Sequence, residues 1–177
     1  MQRLFLILLI FINSNSSFGQ VDKRISLIHS KISNINNAIT PEYCSFKIKK
    51  ITNNDFLKIS NEEQGIEQEL LGYYDKEQIQ LITYDIIKFP YVNTIAYYFS
   101  NASIISALEV QQILPNSSND SIGTISKRVY SSIYYFDKGN IFRKEINGKK
   151  IFLTSKSILT DKIIHSDVKR FIDLLKK

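Results

Sequence analysis

Three segments of this chain resemble one another, and each has the pattern of a β-hairpin. They align without gaps as an aromatic pair, an Asp or Ser, two or three turn residues and an Ile, over residues 72–79, 97–104 and 134–141. Aromatic and β-branched residues suit a pleated, half-buried surface, and Asp, Ser and Gly favour the tight turn between two strands. The turns are unevenly spaced along the chain, so the repeats predict an antiparallel meander with insertions rather than a solenoid.

Two further patterns extend this sheet. Asn147-Gly148 is the strongest two-residue hairpin signal in the chain and predicts a fourth turn, between residues 142–146 and 149–153. Upstream of the repeats, alternating apolar residues at Cys44, Phe46 and Ile48 predict a first strand. The sheet should therefore contain six or seven strands.

Helical periodicity is present at both ends of the sheet-forming region. Apolar residues spaced three and four apart predict a helix over residues 21–39, which Thr40-Pro41 would end. A second helix is predicted near the C-terminus from Val168 to Leu175, with Ser166 or Asp167 as its cap. We therefore predict an α+β fold: an N-terminal helix, an antiparallel β-meander of six or seven strands, and a C-terminal helix packed on the sheet.

The first 19 residues have the pattern of a signal peptide. A short basic end precedes nine unbroken apolar residues, 4–12, too few to span a bilayer as a helix. Small residues at Ser17 and Gly19 predict cleavage before Gln20. The expected product is a periplasmic or secreted chain without a transmembrane span, folded as one domain over residues 20–177 with a mobile polar loop at 115–126.

The chain contains one cysteine, Cys44, and two histidines, His29 and His165. A solitary cysteine in an exported chain usually behaves as a small buried hydrophobe, which is the expectation here. The alternative is a nucleophile, which would need one of the histidines beside it as a base.

Positive charge is concentrated in the last third of the chain. Residues 127–177 hold 13 Lys and Arg against 5 Asp and Glu, whereas residues 20–126 hold 9 against 12. A basic block of this kind attracts acidic partners, anionic glycans and lipid phosphates, with an affinity that falls as salt rises. Nucleic acid is not expected as a partner, because export removes the usual target.

A search for sequence-local chemistry finds no paired Cys-x-x-Cys, no His-Glu-x-x-His, no Gly-x-Ser-x-Gly and no phosphate-binding loop. We therefore predict no catalytic residue, no cofactor and no metal site, and we favour a protein that is not an enzyme. The main alternative is an exported hydrolase whose site is assembled only by the fold.

The ten tyrosines suggest a second kind of site. Neighbouring residues of a strand point to opposite faces, so one tyrosine of each pair should face outward. Tyr73, Tyr97 and Tyr134 could then form a stripe that binds a partner, together with Lys149 and Lys150 from the basic third. The alternative is that these tyrosines are cross-strand pairs that stabilise the sheet.

The succession of Gly72–Asp75, Tyr97–Phe99 and Tyr134–Ile141 between two helices resembles a group of small exported, mostly uncharacterised bacterial proteins with repeated YYFDxGKL hairpins. The single hairpins are also similar to the repeats of MORN-like antitoxin proteins. The resemblance covers residues 65–150, and its second copy has Ser100-Asn101-Ala102 where Asp and Gly are expected. It implies a β-hairpin fold and no active site.

These observations predict an exported interaction protein that binds an unidentified protein through a tyrosine-bearing sheet face, the basic C-terminal third, or both. Binding of anionic envelope glycans or lipids is the remaining alternative.

Overall fold

The computed structural model describes residues 23–39, 44–52, 66–114, 127–149 and 160–176. The predicted signal peptide, the predicted loop at 115–126 and Lys150 lie outside these residues. The elements are, in chain order, α1 (Lys23–Asn37), β1 (Lys47–Thr52), β2 (Glu67–Asp75), β3 (Gln78–Lys88), β4 (Tyr91–Ser100), β5 (Ser103–Ile113), β6 (Lys127–Asp137), β7 (Asn140–Gly148) and α2 (Asp161–Leu175).

The strands form one antiparallel sheet in which spatial order follows chain order from β1 to β7. Each strand therefore pairs with its neighbours in sequence, as a meander requires. The structure confirms the predicted α+β class, with a seven-stranded sheet between the N-terminal and C-terminal helices.

The three repeats are the hairpins β2–β3, β4–β5 and β6–β7, and they share one irregularity. In each, the strand register shifts at the same step of the aromatic pair: Tyr73/Tyr74, Tyr98/Phe99 and Tyr135/Phe136. The second strand carries the extra residue, as in a β-bulge, which bends and twists a hairpin locally. The similarity of the three sequences therefore extends to a common local geometry.

The turns of these hairpins use left-handed backbone conformations. Asn101 and Ala102 have φ of 51° and 59°, and Lys138 and Gly139 have φ of 49° and 83°. Positive φ at both central residues matches the right-handed twist of hairpin strands. Gly139 adopts this conformation without strain, whereas Ala102 occupies it at a cost of about 1–2 kcal/mol. The second repeat thus keeps the turn geometry although it lacks the glycine.

The predicted fourth turn is different in the structure. Asn147 and Gly148 are the last residues of β7, where they pair with Ser131 and Tyr130. Gly148 has φ of 81°, and a Cβ at this position would collide with the carbonyl oxygen of Val129. Gly148 is therefore the last residue of β7 and lies close against β6. The strand predicted to follow this turn lies outside the described residues from residue 150 onward.

The two helices cover opposite faces of the sheet. Ile25, Ile28, Ile32 and Ile35 of α1 pack in one apolar cluster with Tyr73, Leu81, Tyr98 and Tyr135, and we call this side the α1 face. Ile164, Val168, Phe171 and Leu175 of α2 pack in a second cluster with Leu70, Ile82, Tyr97 and Tyr134, on the side that we call the α2 face. Adjacent residues of one strand, such as Leu81 and Ile82, therefore belong to different cores.

Helix α2 begins earlier than the periodicity of its apolar residues suggested. Thr160 is the cap and its side chain accepts a hydrogen bond from the backbone N–H of Ile163, so Ser166 and Asp167 lie inside the helix. At the other end, Leu175 lies over Gly72 of β2, where a Cβ would be 2.7 Å from its Cδ1 atom. The missing side chain at Gly72 lets the helix approach the sheet closely.

No helix in the described ranges is long and apolar enough to cross a membrane.

Candidate functional site

The three tyrosines predicted to form an outward stripe are buried. Tyr73 is 3% exposed, and Tyr97 and Tyr134 are fully buried. The prediction of an exposed tyrosine face is wrong, because a helix covers each side of the sheet and all three of these side chains are buried. Tyr73 lies under α1 and the other two lie on the α2 face, so they do not even share one side.

Several of the buried tyrosines anchor the helices instead. The Tyr98 hydroxyl donates to Oδ1 of Asn36 in α1 at 3.2 Å, and the Tyr135 hydroxyl lies 2.9 Å from Nε2 of His29. On the other face, Tyr97 donates to Oδ2 of Asp167 in α2 at 3.4 Å. Burial raises the pKa of Tyr97 well above its usual value, and the nearby negative charge of Asp167 adds to the shift. Tyr97 and Tyr98 therefore act as neutral donors, and all three hydroxyls contact a helix and help to fix it on the sheet.

Cys44 is exposed rather than buried as expected. It lies beside β1, and its Sγ is 3.5 Å from the backbone oxygen of Phe46. His29 contacts Tyr135 of β6, and His165 lies 2.6 Å from the backbone oxygen of Gly139 at the β6–β7 turn. Strands β1 and β6 are separated by five strand spacings, on the order of 20 Å. The structure therefore does not bring the thiol and a histidine together.

The described residues contain no group of three or more His, Cys, Asp or Glu side chains arranged to hold a metal ion.

The basic side chains of α2 are exposed, and two of its three carboxylates accept hydrogen bonds from the sheet. Asp161 accepts from the backbone N–H of Ile141, and Asp167 accepts from Tyr97. The third carboxylate, Asp173, lies 4.0 Å from Nζ of Lys176. Four basic side chains of α2 are exposed on this side: Lys162, Lys169, Arg170 and Lys176. Together with Lys144 of β7, we call them the basic surface.

Lys144 belongs to this surface because of its register. It pairs with Tyr134, whose side chain lies in the core under α2, so Lys144 is on the same side of the sheet as that helix. Lys149, a predicted site residue, is exposed just beyond the end of β7. Five described basic residues of the last third thus lie on the α2 side, and Lys144 is a member that the sequence analysis had not singled out.

The outer side of α2 also contains an open depression of about 420 Å³. Ser166, Lys169, Arg170, Asp173 and Leu174 line it. The Arg170 guanidinium carbon lies 5.7 Å from the centre of the Phe171 ring, a contact that restrains its long side chain. Two cations outweigh the single carboxylate of Asp173 in this lining, so the site can bind an anionic group by charge and by hydrogen bonds from Ser166 and the cations.

A group of buried polar residues was missed by the sequence analysis. Nine residues of β4, β5 and β6 form a three-by-three grid on the α2 face, defined by the pairing of Ile95 with Glu109 and of Glu109 with Ser132. Every member is at most 7% exposed, and seven of the nine carry a polar group. We call these residues the polar block; row by row they are Asn93, Gln111 and Tyr130; Ile95, Glu109 and Ser132; Tyr97, Ala107 and Tyr134.

Some polar atoms of this block lack partners. Oδ1 of Asn93, Oγ of Ser132 and the hydroxyl oxygen of Tyr134 are buried and make no hydrogen bond within the described structure. Burial raises the pKa of Tyr134, and Ser132 is near enough to lower that pKa in part, yet their oxygens do not meet hydrogen-bond geometry. Buried polar atoms are nearly always bonded, so these three need a physical explanation.

A signal for the block was present in the sequence. Asn93, Glu109, Gln111 and Ser132 are polar residues at alternate positions of strongly β-prone segments. Polar residues at alternate positions of a strand usually indicate the face that is exposed to solvent. Only the register of three strands, together with burial, shows that they meet on one covered face.

Comparison of the chain with protein-family models, with curated proteins and with solved structures finds no match. The functional interpretation therefore depends on the residues and geometry described above.

Proposed function

We propose that this protein is an exported interaction protein, not an enzyme, that binds an acidic protein partner through its basic surface. Export is supported by the signal-peptide pattern of residues 1–19 and by the resemblance of the hairpins to those of exported bacterial proteins. With the tyrosines buried, the basic surface and Lys149 are the parts of the predicted contact region that are exposed among the described residues.

The observation that carries this proposal is the depression on α2. Lys169 and Arg170 line it beside Ser166, and Lys169 makes no ion pair with any described residue. Two cations next to an open concavity attract a carboxylate-bearing partner from a distance and hold it by charge-assisted hydrogen bonds on contact. Both the rate of association and the affinity should fall as ionic strength rises.

The hydrolase alternative has less support. It requires a nucleophile beside a base, and the residues considered for those roles lie near strands that are far apart in the sheet: Cys44 near β1, and His29 and His165 near β6. The arrangement of these groups favours a binding role.

Site-specific photo-crosslinking of the full exported chain tests the proposal. A photoreactive residue at Ser166 reports on the depression, and the same residue at Ser30, an exposed serine of α1, is the matched control. We expect one protein to be captured from the cell envelope at Ser166 and not at Ser30. The double variant Lys169→Glu/Arg170→Glu should abolish that capture, whereas Lys23→Glu/Lys47→Glu, which changes net charge equally, should not.

Capture at both serines, or capture that survives the Lys169→Glu/Arg170→Glu change, would contradict the proposal. Binding to phosphatidylglycerol vesicles or to heparin that is lost at high salt, with no protein captured, would instead favour the anionic-envelope alternative. That alternative also predicts a loss of binding on charge reversal at Lys149 and Lys150.

A further inference from the structure

We propose that one end of the sheet is a docking surface for an anionic phospholipid bilayer, into which the β3–β4 turn inserts Phe89. The docking surface consists of exposed or partly exposed residues, and we call it the tip surface: Lys88, Phe89, Tyr91, Ile113, Lys127 and Arg128. This inference is independent of the proposed function, because the tip surface lies at the ends of the strands and the basic surface lies on α2 and β7.

The β3–β4 turn differs from the turns of the three repeated hairpins. Those turns are residues 76–77, 101–102 and 138–139, and each contains a polar or charged residue. The β3–β4 turn is Phe89-Pro90, which has no polar side chain, and Phe89 is 60% exposed. An aromatic side chain on an exposed turn adds nothing to the core, so its position favours contact with an apolar medium outside the protein.

Phe89 is part of a continuous apolar surface rather than an isolated side chain. The backbone N–H of Leu114 donates to the carbonyl oxygen of Pro90 at 2.7 Å, which holds the turn against the end of β5. Tyr91 pairs with Ile113 across β4 and β5, and both residues are partly exposed. Contiguous exposed apolar residues mark interaction sites, whereas single ones are ordinary.

Basic residues flank this apolar surface. The register places Lys88 beside one member of the apolar pair and Lys127 beside the other, so a lysine lies at each end of a four-strand row. Arg128 is exposed next to Lys127, and neither makes an ion pair with a described residue. Where the described strands end on this side, Glu67 of β2 is the one carboxylate. Three cations against one carboxylate attract an anionic surface.

The order of these groups along the strands matches the interface of a bilayer. Phe89 lies outermost in the turn, and the row that contains Lys88, Tyr91 and Lys127 lies directly behind it. At a membrane surface, apolar side chains enter the hydrocarbon region, tyrosines lie at the depth of the headgroups and lysines extend to the phosphates. An acidic protein would match the cations, but it gives no reason for an apolar turn that extends beyond them.

The chain contains no tryptophan, which allows a site-specific test. Phe89→Trp introduces one fluorophore at the turn, and Leu27→Trp introduces it at an exposed position of α1 as the control. We expect phosphatidylglycerol vesicles with brominated acyl chains to quench the fluorescence of Phe89→Trp in the exported chain and to leave that of Leu27→Trp unchanged. Brominated phosphatidylcholine vesicles, which have no net charge, should quench neither variant at the same lipid concentration.

A pair of charge variants identifies the cations that hold the tip surface on the bilayer. In co-sedimentation with phosphatidylglycerol vesicles, Lys127→Gln/Arg128→Gln should weaken binding about 10- to 30-fold, because each cation near an anionic surface contributes a factor of about five. Lys169→Gln/Arg170→Gln removes the same charge from the basic surface and should weaken binding much less. Phe89→Ser should weaken it at least about tenfold, because serine gains nothing from the hydrocarbon region.

Three results would overturn the proposal. Equal quenching of Phe89→Trp and Leu27→Trp, or quenching of neither by anionic vesicles, would show that the turn does not enter the bilayer. Vesicle binding that depends on the basic surface rather than on the tip surface would place the lipid contact on α2. Capture of a protein by a photoreactive residue at position 89, without quenching by brominated lipid, would make the tip surface a protein interface.

Discussion

The two faces of the sheet bury polar groups in different ways. On the α1 face, Tyr98 donates to Asn36, Tyr135 contacts His29, and Thr94 donates to Asp85 at 2.5 Å. On the α2 face, hydrogen bonds such as Tyr97 to Asp167 occur near the helix, but three oxygens of the polar block have no partner among the described residues. The α1 face has one such oxygen, that of Ser106, within the same ranges.

Buried polar groups with and without hydrogen-bond partners have different effects on the fold. Partnered groups such as Tyr98 and Asn36 hold a helix in a single position, because a shift would leave both unbonded in a medium of low dielectric. Unpartnered groups contribute nothing to such specificity and each costs about 1–3 kcal/mol. The substitutions below test that distinction.

The largest expected effect concerns the close approach of α2. Gly72→Val should lower the free energy of unfolding by about 1–3 kcal/mol, because the added side chain overlaps the methyl groups of Leu175. Gly72→Ala should cost less, since a terminal methyl of leucine can move. Chemical denaturation of both variants gives the comparison.

A double-mutant cycle isolates the cause. If the contact with Leu175 is responsible, Gly72→Val should cost distinctly less in a Leu175→Ala background than in the wild type. Additive losses would show that α2 does not rest on Gly72, and the account of the α2 face would need revision.

A smaller effect is expected from pH on the α1 face. Burial lowers the pKa of His29 below its usual 6.5, although Glu145 partly opposes the shift. The unfolded chain then takes up a proton at a higher pH than the folded protein does. The free energy of unfolding should therefore fall as the pH decreases from 6.5 to the lowered pKa of the folded state. Below that pKa, His29 should cause no further change.

The control for this prediction is His29→Gln, which keeps a polar side chain at the position and cannot titrate. Denaturation curves between about pH 8 and pH 5 should show a loss of stability in the wild type that is reduced in the variant. Equal slopes in the two proteins would mean that the contact between His29 and Tyr135 does not depend on protonation.

The sequence predicted the architecture well because its signals are local. The hairpin repeats place three turns, and the isoleucine spacing of residues 25–39 defines one buried helix face. Local patterns predicted the burial of side chains less reliably, because burial depends on tertiary contacts. Tyr97 and Tyr98 were assigned to opposite faces correctly, but the sequence does not show that the two predicted helices cover opposite faces and so bury both tyrosines.

The candidate site was harder to predict for a related reason. The basic block was visible as a charge difference, whereas its orientation depends on Asp161 and Asp167 bonding to the sheet. The polar block requires the register of β4, β5 and β6, and no local pattern pairs Asn93 with Gln111 or Glu109 with Ser132. Exposure of Cys44 was likewise invisible, because its neighbours suggested a core position.

The most direct test of the contrast between the faces is one pair of matched substitutions, Tyr98→Phe and Tyr134→Phe. Both remove only a hydroxyl from a fully buried ring. Tyr98→Phe leaves Oδ1 of Asn36 buried without its donor and should lower the free energy of unfolding by about 1–3 kcal/mol, whereas Tyr134→Phe should be neutral or stabilising. Equal losses in the two variants, measured by denaturation without added ligand, would contradict the account.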